Sequence, residues 1–294
     1  MKKTIAAVVV ALSVLTACGS SSKTAKSANT TTPAAAPKRI VSMSSTATEM
    51  LFAIGAGKQV VAVDDQSNYP ASVPKTSLSA YQPNVEAIAG YRPDMVVIAG
   101  DTKNLKASLE KLSIPVVHEE AAKTIDESYA QITDLGRRTG HAKAAAALVA
   151  SMKAKITALV KEVPKRATPL TYYHELDNTL FTATSKTFIG QVYALAGLQN
   201  VADPADADNS KAGYPQLSAE YLVKADPDFV FLADTKCCQQ TEATFGARPA
   251  FGALKAVKEH HVVLLDDDIA SRWGPRIVDL LAKVVDVVKA QPAA

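Results

Sequence analysis

Three cysteines are too few to frame a chain of 294 residues with disulfides. Lys+Arg number 32 against 29 Asp+Glu, and a formal net charge of +3 is too weak for a nucleic-acid footprint. G-x-S-x-G, H-E-x-x-H, P-loop and G-x-G-x-x-G motifs are all missing, so hydrolase, zinc-protease and nucleotide chemistry lack their sequence marks. The five histidines are scattered. His260 and His261 adjoin a strand, where neighbours point to opposite faces, and cannot easily share a metal; no resident metal or cofactor is expected. After residue 17 no apolar run is long enough to span a bilayer. What remains is 48% apolar and 21% charged, the balance of a globular protein with enough chain for one large domain or two ordinary ones.

The N-terminus reads as a processing segment. Lys2 and Lys3 precede a short apolar run, Thr4 to Val14, about half a membrane span. Leu15-Thr16-Ala17-Cys18 follows and resembles the lipobox of bacterial lipoproteins. Residues 1–17 are expected to be a lipoprotein signal peptide, with lipidated Cys18 as the mature N-terminus and membrane anchor. Residues 18–37, rich in Ser, Thr, Ala and Pro, read as a flexible tether that spans about 25 Å on average. The expected place of work is the cell envelope, outside the cytoplasm.

The body repeats itself. Asn84-Val85-Glu86-Ala87-Ile88 with Arg92-Pro93-Asp94-Met95-Val96-Val97-Ile98-Ala99 returns as Ser218-Ala219-Glu220-Tyr221-Leu222 with Asp226-Pro227-Asp228-Phe229-Val230-Phe231-Leu232-Ala233. Each block reads as a short helix, Pro-Asp, then a buried strand. Flanking helix and strand segments recur as well. Strands alternating with helices predict α/β architecture: two Rossmann-like lobes with parallel central sheets. The lobes are placed at residues 38–141 and 164–294. Residues 142–163, without Gly or Pro and apolar at helical spacing, are expected to form one linking helix between them.

A tethered, two-lobed protein without catalytic marks can hold a ligand in the gap, since open α/β sheets bind ligands beyond the C-terminal ends of their strands. Segments following predicted strands supply the candidates: Ser44 and Ser45, Asn68 and Tyr69, Tyr81 and Asp101, then His174, Glu175 and Asp177, and finally 235–238 and 266–273 with Trp273. Thr46-x-x-Glu49 has the capping-box pattern and predicts a helix start just after the first strand. Asp266-Asp267-Asp268 reads as a solvated loop. The adjacent Cys237 and Cys238 are expected to form a vicinal disulfide in an oxidising envelope; two free thiols are the alternative.

With those residues set out, the chain resembles the iron/cobalamin periplasmic-binding family, the cobalamin-, siderophore- and heme-binding solute-binding proteins of ABC importers. Arg39-Ile40-Val41-Ser42 with Ala47-Thr48-Glu49-Met50-Leu51-Phe52-Ala53 is similar to the family's opening strand and helix. Tyr69-Pro70 resembles its tyrosine–proline loop, and Trp273-Gly274-Pro275-Arg276 its late cleft loop. The resemblance implies a cleft between two lobes, with Arg276 joining the ligand contacts, and a body that acts as a monomer. It implies a partner, an ABC permease dimer with its ATPase, docked by one glutamate per lobe; these map to Glu86 and Glu220. The ligand implied is a metal chelate. The motifs look most like those of cobalamin binders, while Arg248, Arg272 and Arg276 keep a ferric siderophore open and Tyr81 keeps heme open. From another class, an envelope thiol redox enzyme using Cys237 and Cys238 would need an activated thiol, and C-x-x-C spacing is missing.

Overall fold

The computed structural model describes residues 35–292. The expected signal peptide, Cys18 and most of the tether lie outside the described residues.

Four strands open the fold: β1 (Ile40–Met43), β2 (Val60–Val63), β3 (Met95–Ile98) and β4 (Val116–His118). They pair in parallel in the order β2-β1-β3-β4. Four more follow: β5 (Thr171–Glu175), β6 (Gln199–Asn200), β7 (Phe229–Leu232) and β8 (Val262–Leu264). These pair in parallel as β6-β5-β7-β8, the same order, in a separate sheet. The short β-branched and aromatic runs are buried on both faces, as parallel strands covered by helices require.

Five helices accompany the first sheet: α1 (Ser45–Ala53), α2 (Val85–Gly90), α3 (Leu105–Lys111), α4 (Ile125–Thr139) and α5 (Ala142–Glu162). Six accompany the second: α6 (Phe188–Leu195), α7 (Ala219–Ala225), α8 (Glu242–Gly246), α9 (Lys255–Lys258), α10 (Asp267–Ser271) and α11 (Ile277–Lys289). The sequence repeat has a counterpart in structure. Asn84 accepts from the Ala87 N–H to cap α2, and Ser218 accepts from the Tyr221 N–H to cap α7. Glu86 and Glu220 occupy the same place in the first turn of each helix, both exposed.

Alternation along the strands sorts three apolar cores. Ile40, Met95 and Val97 on the first sheet, and Tyr172, Phe229 and Phe231 on the second, face one continuous inner core that runs through both halves. Val41, Val96 and Ile98 face an outer core against α3, and Tyr173, Val230 and Leu232 face another with Phe245 and Phe251.

Helix α5 connects the two sheets but does not stand free as a strut. A sharp turn at Gly140, whose φ is +80°, folds it back along α4, and it also packs on α11. Gly136 permits this approach: a Cβ there would lie 2.3 Å from the Ala145 Cβ. Met152 is buried, and Leu148, Ile156, Leu159 and Val163 pack against the inner core. The helix is therefore part of the core of both halves. Among the described residues no helix is long and apolar enough to cross a membrane.

Candidate functional site

In each sheet the order in which strands are added reverses between the central parallel strands, β1 and β3 in the first, β5 and β7 in the second. Such switch points open a crevice at the strands' C-terminal ends. A cavity of about 360 Å³ lies at the first of them. Ser44 and Ser45 follow β1, Ala99 and Gly100 follow β3, and Tyr81 closes one side, 75% exposed. The second half contributes Asp268, Ser271, Arg272 and Trp273. A larger hollow of about 680 Å³ beside β4 is lined by residues 106–138 alone, away from any switch point. The cavity that both halves line is the better candidate.

The wall from the second half is clamped onto the first. Arg272 Nη1 donates to Glu49 Oε1 (2.8 Å) and Asn68 Oδ1 (3.0 Å), and Nη2 donates to the Gln66 carbonyl (2.9 Å) and Asp268 Oδ1 (2.7 Å). Arg276 grips the same Glu49 through Nε (2.8 Å) and Nη2, and its guanidinium lies 4.3 Å from the centre of the Tyr69 ring. Asn68 donates to Asp268 Oδ2 (2.9 Å), Trp273 Nε1 donates to Gln131 Oε1 (2.8 Å), and the Ser128 hydroxyl donates to the Trp273 carbonyl. Glu49 is buried, so this carboxylate with two arginines is a desolvated ion cluster joining the halves.

Several expected site residues fall elsewhere. His174 is a correction: it is wholly buried. It shares the strand face of Tyr172, so the pleat turns it into the inner core, where Nδ1 meets the Tyr193 hydroxyl at 2.8 Å. Burial pushes its pKa down to about 3, leaving a neutral core imidazole. Arg276 is also corrected: Glu49 occupies it, and with Tyr69 it lines a separate groove of about 520 Å³ against α1 and α5. Asp101 stands outside the cavity lining and caps the start of α3 by accepting from the Lys106 N–H. Ser44, Ser45, Tyr81 and Trp273 do meet in the cavity. The cap of α1 is Ser44, which accepts from the Ala47 N–H, and not Thr46.

At the second switch point the polar side chains are buried. Arg248 forms a two-pronged ion pair with Glu175, at 2.8 and 2.6 Å, and also donates to Gln240. The Tyr173 hydroxyl donates to Glu175 Oε2. Asp234, the second residue beyond β7, faces Glu175 and is fully buried. Desolvation first, and then the neighbouring Glu175 charge, push its pKa up to about 7. The folded state thus binds a proton that the unfolded chain releases near pH 4. Stability contributed by this group is complete below that point and is lost as pH rises towards 7. Asp234→Asn, which has nearly the same shape and cannot ionise, should match the wild type near pH 4. At pH 8 it should be the more stable of the two, read from urea unfolding at both values.

Sequence reading missed the Glu49 cluster and Asp234. Glu49 had a usable signal: a single acid inside the apolar helix segment Met50-Leu51-Phe52-Ala53 must find a cation if its face is buried. Asp234 had none, because the groups it faces, Glu175 and Arg248, are distant in sequence. The structure also gives the run Asp266–Asp268 an assignment. Asp266 caps α10, Asp267 accepts from the N–H groups of Thr235, Lys236 and Cys237, and Asp268 lines the cavity. Cys237 and Cys238 are joined in a disulfide. Among the described residues no three His, Cys, Asp or Glu side chains converge as a metal site.

Comparison with known proteins agrees with this architecture. The family model described as periplasmic binding protein matches residues 40–269. A cobalamin-binding protein of Halobacterium salinarum is 33% identical over 261 residues, covering 85% of this chain and 69% of that one. An uncharacterized ABC transporter substrate-binding lipoprotein of Bacillus subtilis is 27% identical over 265 residues, covering 86% and 80%. Among solved structures, the periplasmic vitamin B12-binding protein of Vibrio cholerae superposes with a TM-score of 0.70 at 24% identity, over 87% of this chain and 99% of that one.

Proposed function

The chain belongs to the periplasmic binding protein family, and on that premise we propose that it captures cobalamin outside the cytoplasm and delivers it unchanged to an ABC importer. Relatives in the family are solute-binding proteins, and those that match include proteins named for binding cobalamin, vitamin B12 or heme and one from an Fe3+-hydroxamate transport system. The observation that favours cobalamin among these is electrostatic. Arg248, Arg272 and Arg276, the arginines that an anionic ferric chelate or the propionates of heme would need, are each engaged by Glu175, Glu49 or Asp268. What the cavity leaves for a ligand is hydroxyl-bearing and aromatic: Ser44, Ser45, Ser271, Tyr81 and Trp273. That surface suits a corrinoid, whose cobalt is already chelated and whose rim carries uncharged amides. The relative of Halobacterium salinarum carries the same ligand in its name.

Tyr81 serves as an exposed aromatic wall on which a planar macrocycle rests. Tyr81→Ala should weaken cyanocobalamin binding about tenfold with the melting temperature unchanged, as titration calorimetry would show. The ligand assignment itself is tested by incubating purified protein with cyanocobalamin, hemin and ferric desferrioxamine, then desalting. The cobalamin visible spectrum should co-elute with the protein. Retention of hemin alone would move the assignment to heme, with the Tyr81 hydroxyl as the side chain placed to meet iron.

Delivery requires a partner. Glu86 and Glu220, repeated 134 positions apart on matching helix starts, are a pair of exposed carboxylates for a permease made of two like subunits that works with its ATPase. A hydrogen bond to its own N–H, and another from Ser218, hold the Glu220 pKa below its usual value, so it stays ionised. In this proposal the signal peptide of residues 1–17 directs export and is removed, and the lipid on Cys18 keeps the protein at the membrane that holds its permease. The relative of Bacillus subtilis is named a lipoprotein.

A further inference from the structure

A disulfide stabilises a fold mainly by closing a loop of the unfolded chain, and the benefit grows with loop length. Cys237 and Cys238 are neighbours, so their bond closes the smallest loop a chain can form and joins no distant segments. Fold stability therefore does not explain it. Its position does offer an explanation. The disulfide lies on the loop that leaves the C-terminal end of β7, beside the second switch point, with Cys237 exposed and Cys238 half-buried.

That loop is fixed from several sides. The Asp234 carbonyl accepts from the N–H groups of Cys238 (3.2 Å) and Gln240 (3.3 Å). Asp267 accepts from the N–H groups of Thr235 (2.9 Å), Lys236 (2.9 Å) and Cys237 (3.0 Å). Lys236 Nζ donates to Asp266 (2.8 Å) and to Asp268 (2.7 Å). Asp268 is itself a wall of the cavity and is bonded to Asn68 across the gap. The sulfur pair is thus held one ion pair away from the cleft wall. The cavity floor of about 360 Å³ is smaller than a corrinoid with its side chains and nucleotide loop, so a bound chelate of that size extends over the rim.

We infer that the Cys237–Cys238 disulfide is a ligand-contact element of the second lobe, a fixed, apolar and polarisable edge against which the bound chelate packs. The inference rests on the solute-binding role proposed for the cleft, and does not depend on which chelate it takes. With the bond intact, the loop presents both sulfur atoms in one arrangement; as separate side chains they must be ordered by the ligand, which weakens binding.

Two measurements on the full chain test this. The first compares wild type with the double variant Cys237→Ser, Cys238→Ser by titration calorimetry against cyanocobalamin, hemin and ferric desferrioxamine. The variant should lose about tenfold in affinity for whichever probe the wild type binds, at an unchanged melting temperature. The second uses wild type alone. Dithiothreitol reduces the bond, its two thiols becoming a cyclic disulfide while two electrons and two protons convert Cys237 and Cys238 to thiols. The mass gain of two hydrogens should be slowed at least severalfold when the bound probe saturates the protein. Equal affinity in the variant, or reduction at the same rate with and without probe, would overturn the contact role. Binding of hemin or ferric desferrioxamine in place of cyanocobalamin overturns only the ligand assignment, and binding of none overturns both.

Discussion

Glu49→Gln should lower the unfolding free energy by about 3–5 kcal/mol, because removing one partner of a buried ion cluster strands the others without compensation. Both guanidiniums that meet Glu49 are largely desolvated, with side-chain exposures of 8% for Arg272 and 14% for Arg276. An amide can accept from one of them and neutralises neither. For a body of this size the expected fall in melting temperature is about 10 °C. The same change releases the segment that carries Ser271, Arg272 and Trp273 into the cavity, so ligand affinity should fall with stability. A variant that melts with the wild type would show that the cluster contributes nothing net and that other contacts join the halves.

Glu86→Ala combined with Glu220→Ala should act on a different step. Both side chains are exposed, neither lines the cavity, and neither takes part in the ion pairs between the halves. Affinity for the chelate and melting temperature should therefore stay at wild-type values. Capture by the permease should weaken about 100-fold or more, since two charge-assisted contacts of about 1.5–3 kcal/mol each are removed. Uptake into vesicles carrying the importer, alongside calorimetry of the isolated protein, separates the two steps. Loss of ligand affinity in the double variant would remove these residues from docking, and undiminished uptake would remove the docking surface itself.

The parallel sheets were legible because their strands are short, uninterrupted apolar runs separated by helical periods. The repeat was legible because Glu, Pro and Asp recur at one offset, and the structure returns that offset as matching capped helices, α2 and α7. The cleft was only half legible. Position after a strand locates a loop, and Ser44, Ser45, Tyr81 and Trp273 do line one cavity, but it does not fix a side chain's direction. His174 lies within β5 itself, where the pleat decides, and it turned inwards onto Tyr193. Arg276 was placed by resemblance, and its pairing with Glu49, 227 positions away, could not be read from local pattern. Long-range ion pairs of this kind form between residues whose separation carries no periodic signal, and here they decide which cations remain for a ligand.

Trp273 is the single tryptophan and lines the cavity that both halves share, so its emission reports occupancy of that site alone. Titration with cyanocobalamin should quench it saturably at one equivalent, and hemin or ferric desferrioxamine should not displace the bound corrinoid. Emission unchanged by cyanocobalamin but quenched by either of the other chelates would contradict the assignment of cobalamin to this cleft.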